Sequence, residues 1–207
     1  MSRLHPSLIG TLALLLGLGS LTWADEARVP KNVTLVVAFD ENTAQPQVVE
    51  ALKSELAEIW RSEAVKLDWR PLESIKPGDS FDDLVVVHFK GDCHFRPEIH
   101  PYLIDERGPQ TAGPYAYSPT VNGKVQPFSS VLCDRVERSV KSALEPAQRQ
   151  TADSLFGRAL GRVLSHELYH ILNQTREHQR QGLAQRALTG KQLIAPDFRF
   201  DESGITH

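Results

Sequence analysis

The sequence predicts an α+β domain in which a mixed, twisted sheet packs on one long helix. Two β-branched runs at 33–39 and 84–89, an amphipathic stretch over 47–62 and an apolar helical period from about 151 to 172 carry that expectation. The chain has 207 residues, 41% hydrophobic and 24% charged, which suits a single core rather than two.

Residues 1–24 stand apart from this domain. They begin with Arg3, continue with an apolar run and close on small residues near Ala24, the pattern of a signal peptide. The apolar run is about 14 residues long and broken by Gly10, Thr11, Gly17 and Gly19, short of the roughly 20 that a membrane span needs. The expectation is therefore a single domain over 25–207, secreted or periplasmic, with no stable membrane span after the leader is removed. The formal net charge is −3 and the basic residues are scattered, which excludes the basic footprint of a nucleic-acid binder. Cys93 and Cys133 are the only cysteines, and in an exported domain two cysteines are expected to pair.

In order along the chain, VTLVVAF at 33–39 reads as a strand buried on both faces. The stretch 47–62 carries Val48, Val49, Leu52, Leu56, Ile59 and Trp60 at helical spacing, with Glu50, Lys53, Glu55 and Glu58 expected on the other side. Val65, Leu67 and Trp69 alternate with polar residues as in a second strand, and LVVVHF at 84–89 gives a third. Five prolines between 97 and 119 then forbid long regular structure, and a long loop in a compact domain is usually functional. Tyr115-Ala116-Tyr117 fits a short edge strand there, where flanking proline is tolerated. Asn122-Gly123 signals a hairpin turn before a strand at 128–132. Asp134 and Glu137 suggest a capped helix through Val136, Val140 and Leu144.

The last long helix carries SHELYHILNQTREH at 165–178. Residues four apart stack on one helix face, so His166 and His170 can present two imidazoles to one ion. Glu167 lies beside them, placed to act on water that the ion acidifies rather than on the ion. Two ligands do not hold a catalytic zinc. His178 is the leading candidate for the third, but on a continued helix it would lie about 12 Å beyond His170 along the axis. The helix must therefore stop, and Asn173 is the expected stopping point because asparagine tolerates the left-handed conformation that ends helices. Glu177, Asp197 and Glu202 remain open as carboxylate alternatives. Tyr169 is expected in the core rather than as an oxyanion donor, and His88, His94 and His100 as ordinary polar histidines.

HELYHILN followed by a nearby histidine resembles the metzincin clan of zincins, whose pattern is H-E-x-x-H-x-x-G-x-x-H, and particularly metzincin-like exported bacterial proteins with a longer final gap. The resemblance implies a zincin fold with an antiparallel edge strand that holds an extended peptide. It also implies one Zn2+ on His166, His170 and His178, with Glu167 as the catalytic base. Asn173 stands where the clan has glycine, and the gap to the third histidine is two residues longer. The clan's methionine turn beneath the metal has no counterpart, since Met1 is the only methionine; Gly182-Leu183-Ala184 is expected in that region.

The resulting expectation is an exported zinc-dependent endopeptidase acting on a peptide or protein laid along the edge strand near Tyr115 and Tyr117. Two alternatives from other classes are a non-proteolytic binding protein on the same scaffold and a zinc amide hydrolase acting on a cell-wall bond.

Overall fold

The computed structural model describes residues 31–39, 44–96 and 113–201. The expected signal peptide, His100 and Glu202 lie outside the described residues. The chain order is β1 (Lys31–Phe39), α1 (Pro46–Arg61), β2 (Val65–Pro71), β3 (Leu84–Lys90), β4 (Ala116–Tyr117), β5 (Thr120–Val121), β6 (Lys124–Val125), β7 (Phe128–Leu132), α2 (Cys133–Ala143), α3 (Ala152–Leu172) and α4 (Gly190–Ile194). This is an α+β fold with a mixed sheet and a long helix. Among the described residues no helix is long and apolar enough to cross a membrane.

The main sheet has the order β2-β1-β3-β7-β4. Its first four strands are parallel, and β4 alone runs antiparallel, along β7, at the edge. Val33, Leu35 and Val37 of β1, with Val85, Val87 and Phe89 of β3, alternate into the core shared with α1 and α3. The expectation that 33–39 is buried on both faces is corrected. Val36 is closed off, but it lies outside the core cluster, and Thr34 and Ala38 on the same face are half-exposed. A continuous apolar run does not by itself tell a strand covered on both faces from one covered fully on only one.

Asn122 and Gly123 both take positive φ, 50° and 79°, as a primed hairpin turn requires. The hairpin they close joins β5 to β6 as a separate two-stranded sheet, ahead of β7.

Helices α1 and α3 pack closely because Gly157 and Gly161, one turn apart, face α1. A Cβ on Gly157 would collide with the Val48 carbonyl oxygen and stand 2.7 Å from the Ala51 Cβ. On Gly161 it would stand 3.0 Å from the Leu52 carbonyl oxygen. The approach brings Trp60 within reach of α3, where its Nε1 donates to Ser165 Oγ at 3.2 Å, immediately before the first histidine of the motif.

Cys93 and Cys133 form the expected disulfide, joining the segment after β3 to the start of α2. The expected capping role of Asp134 and Glu137 is not observed, since α2 begins after Leu132 without a side-chain cap. Instead Asp134 accepts from the Asp92 N–H at 3.2 Å, and Glu137 accepts from the Arg96 N–H at 2.8 Å. The disulfide holds those backbone donors next to α2, so the carboxylates serve them rather than their own helix. The bridge closes a separation of 40 residues. Reduction is expected to lower unfolding free energy by about 4 kcal/mol on the chain-entropy model; urea midpoints with and without reductant would measure it, and coincident midpoints would contradict it.

Candidate metal centre

Helix α3 carries the motif on its buried face, with His166 half-buried and Glu167 and His170 buried. It ends at Leu172, and the chain reverses within three residues. The reversal is a Schellman arrangement: the Thr175 N–H donates to the His170 carbonyl at 3.1 Å and the Gln174 N–H to the Ile171 carbonyl at 3.3 Å. The left-handed residue is Gln174, at φ 49°, whereas Asn173 has φ −90°. The bend is thus where the sequence needs one, but the expectation for Asn173 is corrected. Asn173 turns its Nδ2 back to the Tyr169 carbonyl at 2.9 Å. Gln174 is held in the strained conformation by its own side chain, whose Nε2 donates to the carbonyls of Val125 and Ile171 at 3.0 and 2.8 Å.

The returning segment brings His178 to the other two histidines. Ring centroids are 4.8 Å apart for His166 and His170, 5.3 Å for His166 and His178, and 4.8 Å for His170 and His178. One nitrogen from each of the three lies within 4.8 Å of the others. Glu177 and Asp197 are not part of this cluster.

The hydrogen bonds fix which nitrogens face the centre. His166 Nδ1 is 2.8 Å from the Leu183 carbonyl oxygen and His170 Nδ1 is 2.9 Å from that of Thr175. A carbonyl only accepts, so both Nδ1 atoms carry the proton and both Nε2 atoms of the neutral rings present lone pairs. Those two Nε2 atoms are 3.1 Å apart. Facing lone pairs at that distance repel unless a cation stands between them, and two nitrogens bound tetrahedrally at about 2.05 Å would be roughly 3.3 Å apart. His178 is exposed and can complete the set. The donor set therefore fits a metal ion of the kind that imidazole nitrogens bind.

Beneath the centre lies the Gly182-Leu183-Ala184 turn. Gly182 has φ 73°, and a Cβ there would meet the Asp201 nitrogen at 2.7 Å and the Arg199 carbonyl at 2.8 Å. The Leu183 N–H donates to that same Arg199 carbonyl at 3.0 Å, while its own carbonyl orients His166.

Glu167 Oε2 accepts from Ser118 Oγ at 2.7 Å, just after β4. Burial raises the Glu167 pKa, and the Ser118 bond opposes the rise. Sequence reading missed Ser118, which is 49 residues away along the chain. Strand β4 borders a cleft of about 1,070 Å³ lined by Tyr117, Ser118, His166, Glu167, His170 and His178. Neither tyrosine hydroxyl is spare: Tyr115 bonds Ser139 Oγ at 2.7 Å, and Tyr117 accepts from Lys90 Nζ at 2.9 Å. Tyr169 packs in the core against the ring of Phe200. His94 bonds Asp92 at 2.8 Å and His88 lies in β3, so neither joins the cluster.

Burial pushes His166 down to about 4, against the Leu183 hydrogen bond and with the charges of His170 and His178 adding to the fall. His170 and His178 are lowered too, chiefly by burial. Above pH 6.5 His166 is neutral folded or unfolded and contributes nothing; between 6.5 and 4 the unfolded chain takes a proton that the folded one refuses, so stability falls with pH. The metal-free protein should lose about 3 kcal/mol across that window through His166. Urea midpoints of chelator-treated protein at pH 7.5 and 4.5 test this against His166→Gln, which should show a shallower decline; equal slopes would contradict it.

No protein-family model matches this chain, and no curated protein sequence matches it.

Proposed function

We propose that the chain is an exported zinc-dependent endopeptidase of metzincin-like fold, formed by the domain that follows residues 1–24 and secreted or periplasmic. The observation that carries the reading is the pair of imidazoles locked by Leu183 and Thr175 so that their lone pairs converge, with a buried carboxylate beside them and, among the described residues, the sheet's edge strand alongside. An antiparallel edge strand above a histidine-bearing helix is also what the metzincin resemblance implies.

His166, His170 and His178 would hold the ion. When bound, zinc supplies a Lewis acid that polarises a carbonyl and lowers the pKa of water. Glu167 takes the proton of the attacking water and returns it to the departing amine. Ser118, donating to one carboxylate oxygen, keeps Glu167 turned toward the cleft and leaves the other oxygen for that transfer. The edge strand β4 would bind the extended substrate by adding a strand to the sheet.

Metal analysis of the purified protein, with cleavage of a peptide library with and without chelator, tests the reading. One equivalent of zinc and chelator-sensitive cleavage are expected; a metal-free, inert protein would replace the peptidase with a binding protein. His178→Ala should weaken zinc affinity by more than about 100-fold, since loss of a group that merely supports a ligand costs 10–100-fold. Unchanged affinity would transfer the third position to Glu177, Asp197 or Glu202.

A further inference from the structure

Beside the long cleft lies a second cavity of about 390 Å³, near the small end of ligand pockets and sized for one side chain rather than a run of peptide. It shares His166 and Glu167 with the cleft and extends back along α3 to Val163, with Ala116 and Leu188 as apolar walls. Arg186 lines both cavities. The ionisable groups around the smaller one are His166, Glu167, Arg186 and the phenol of Tyr115, which bonds Ser139 Oγ. His166 and Glu167 are engaged by Leu183 and Ser118.

Arg186 is different. It is exposed, and among the described residues it has neither a hydrogen bond nor an ion pair. By contrast Arg158, Arg162 and Arg199 all converge on Glu55. A guanidinium without a partner among the described residues, lining a cavity walled in part by Ala116 and Leu188, is a recogniser of planar anions, because its fork of N–H donors matches a carboxylate.

We infer that the smaller cavity is a carboxylate subsite in which Arg186 binds an acidic group of the substrate next to the bond being cut. The inference rests on the peptidase reading for its substrate class and adds the specificity of that site. The carboxylate can come from an Asp or Glu side chain or from the free end of a peptide; the chemistry at Arg186 is the same.

The test uses zinc-loaded Glu167→Gln protein and fluorescence anisotropy with end-blocked peptide pools that carry Glu, Gln or Lys at one central position. The Glu pool should bind roughly tenfold tighter than the Gln pool, the factor that one charge-assisted hydrogen bond supplies, with Lys weakest. Arg186→Gln should erase the gap, and Arg186→Glu should turn the preference toward Lys. A fourth pool with neutral side chains and a free terminal carboxylate separates the sources: tight, Arg186-dependent binding there assigns the group to the chain end, and its absence assigns it to a side chain. Equal binding of all pools, no binding of any, or a Glu preference that survives Arg186→Gln overturns the inference. Cleavage by the unsubstituted enzyme judges the underlying reading separately. Cutting without acidic preference removes the subsite alone, whereas Arg186-dependent acidic binding with no cutting by the unsubstituted protein removes the peptidase alone.

Discussion

Replacing Glu167 by Gln should leave zinc binding intact and reduce peptide hydrolysis by about 100- to 10,000-fold, the range general-base catalysis supplies. Glu167 lies outside the ligand cluster of His166, His170 and His178, so the substitution removes no metal bond. Glutamine is nearly isosteric, and its amide oxygen can still accept from Ser118 Oγ, which lies 2.7 Å from the carboxylate. What disappears is a basic oxygen. Burial makes that oxygen more basic than an ordinary carboxylate, which brings its pKa nearer to a working pH close to neutral. The readouts are zinc stoichiometry and kcat/KM on the same preparation. Undiminished hydrolysis would remove Glu167 from its role, while lost zinc would show it to be a ligand.

The order of the longer strands and helices was readable because each was written in local periodicity, whereas β5, β6 and α4, of two, two and five residues, are too short to show one. The strand at 128–132 needed only its β-branched and aromatic residues, and the histidine pair only a spacing of four. The helix stop was half readable. Geometry demanded a reversal before His178, but the residue that takes the left-handed conformation is set by the hydrogen bonds around it. Gln174 is held by the carbonyl of Val125, a partner 49 residues away on the hairpin strand β6. No local propensity reports such a contact. The same holds for Ser118 at Glu167 and for the Leu183 carbonyl at His166: each is a single polar atom delivered by a distant segment. Asp134 and Glu137 show the converse, a local signature of capping diverted to long-range donors once Cys93 and Cys133 are joined.

Glu55→Ala should destabilise the fold by about 3–5 kcal/mol, as expected for stripping the partner from a buried charge. Glu55, expected on the polar side of α1, instead sits on the face that meets α3, drawn there by Arg162, which is fully buried on α3. Arg162 Nε donates to Glu55 Oε1 at 2.8 Å and its Nη1 to the carbonyls of Gln192 and Leu193 at 2.7 and 3.3 Å. Its Nη2 has no partner, so the guanidinium is already incompletely satisfied and has no second carboxylate to turn to among the described residues. Arg158 and Arg199 are about a third exposed and can go to water, so the cost centres on Arg162. The effect should reach the metal centre. Arg199 Nη1 donates to the same Glu55 oxygen at 3.3 Å, and the Arg199 carbonyl receives the Leu183 N–H, whose own carbonyl orients His166. Loss of Glu55 should therefore lower zinc affinity as well as the urea midpoint. A Glu55→Leu, Arg162→Met pair separates the two effects, because removing both charges should recover much of the stability while leaving Arg199 without its anchor. Recovery of the midpoint with zinc affinity still reduced would place the coupling in Arg199, and an unmoved midpoint in Glu55→Ala would refute the buried-charge argument altogether.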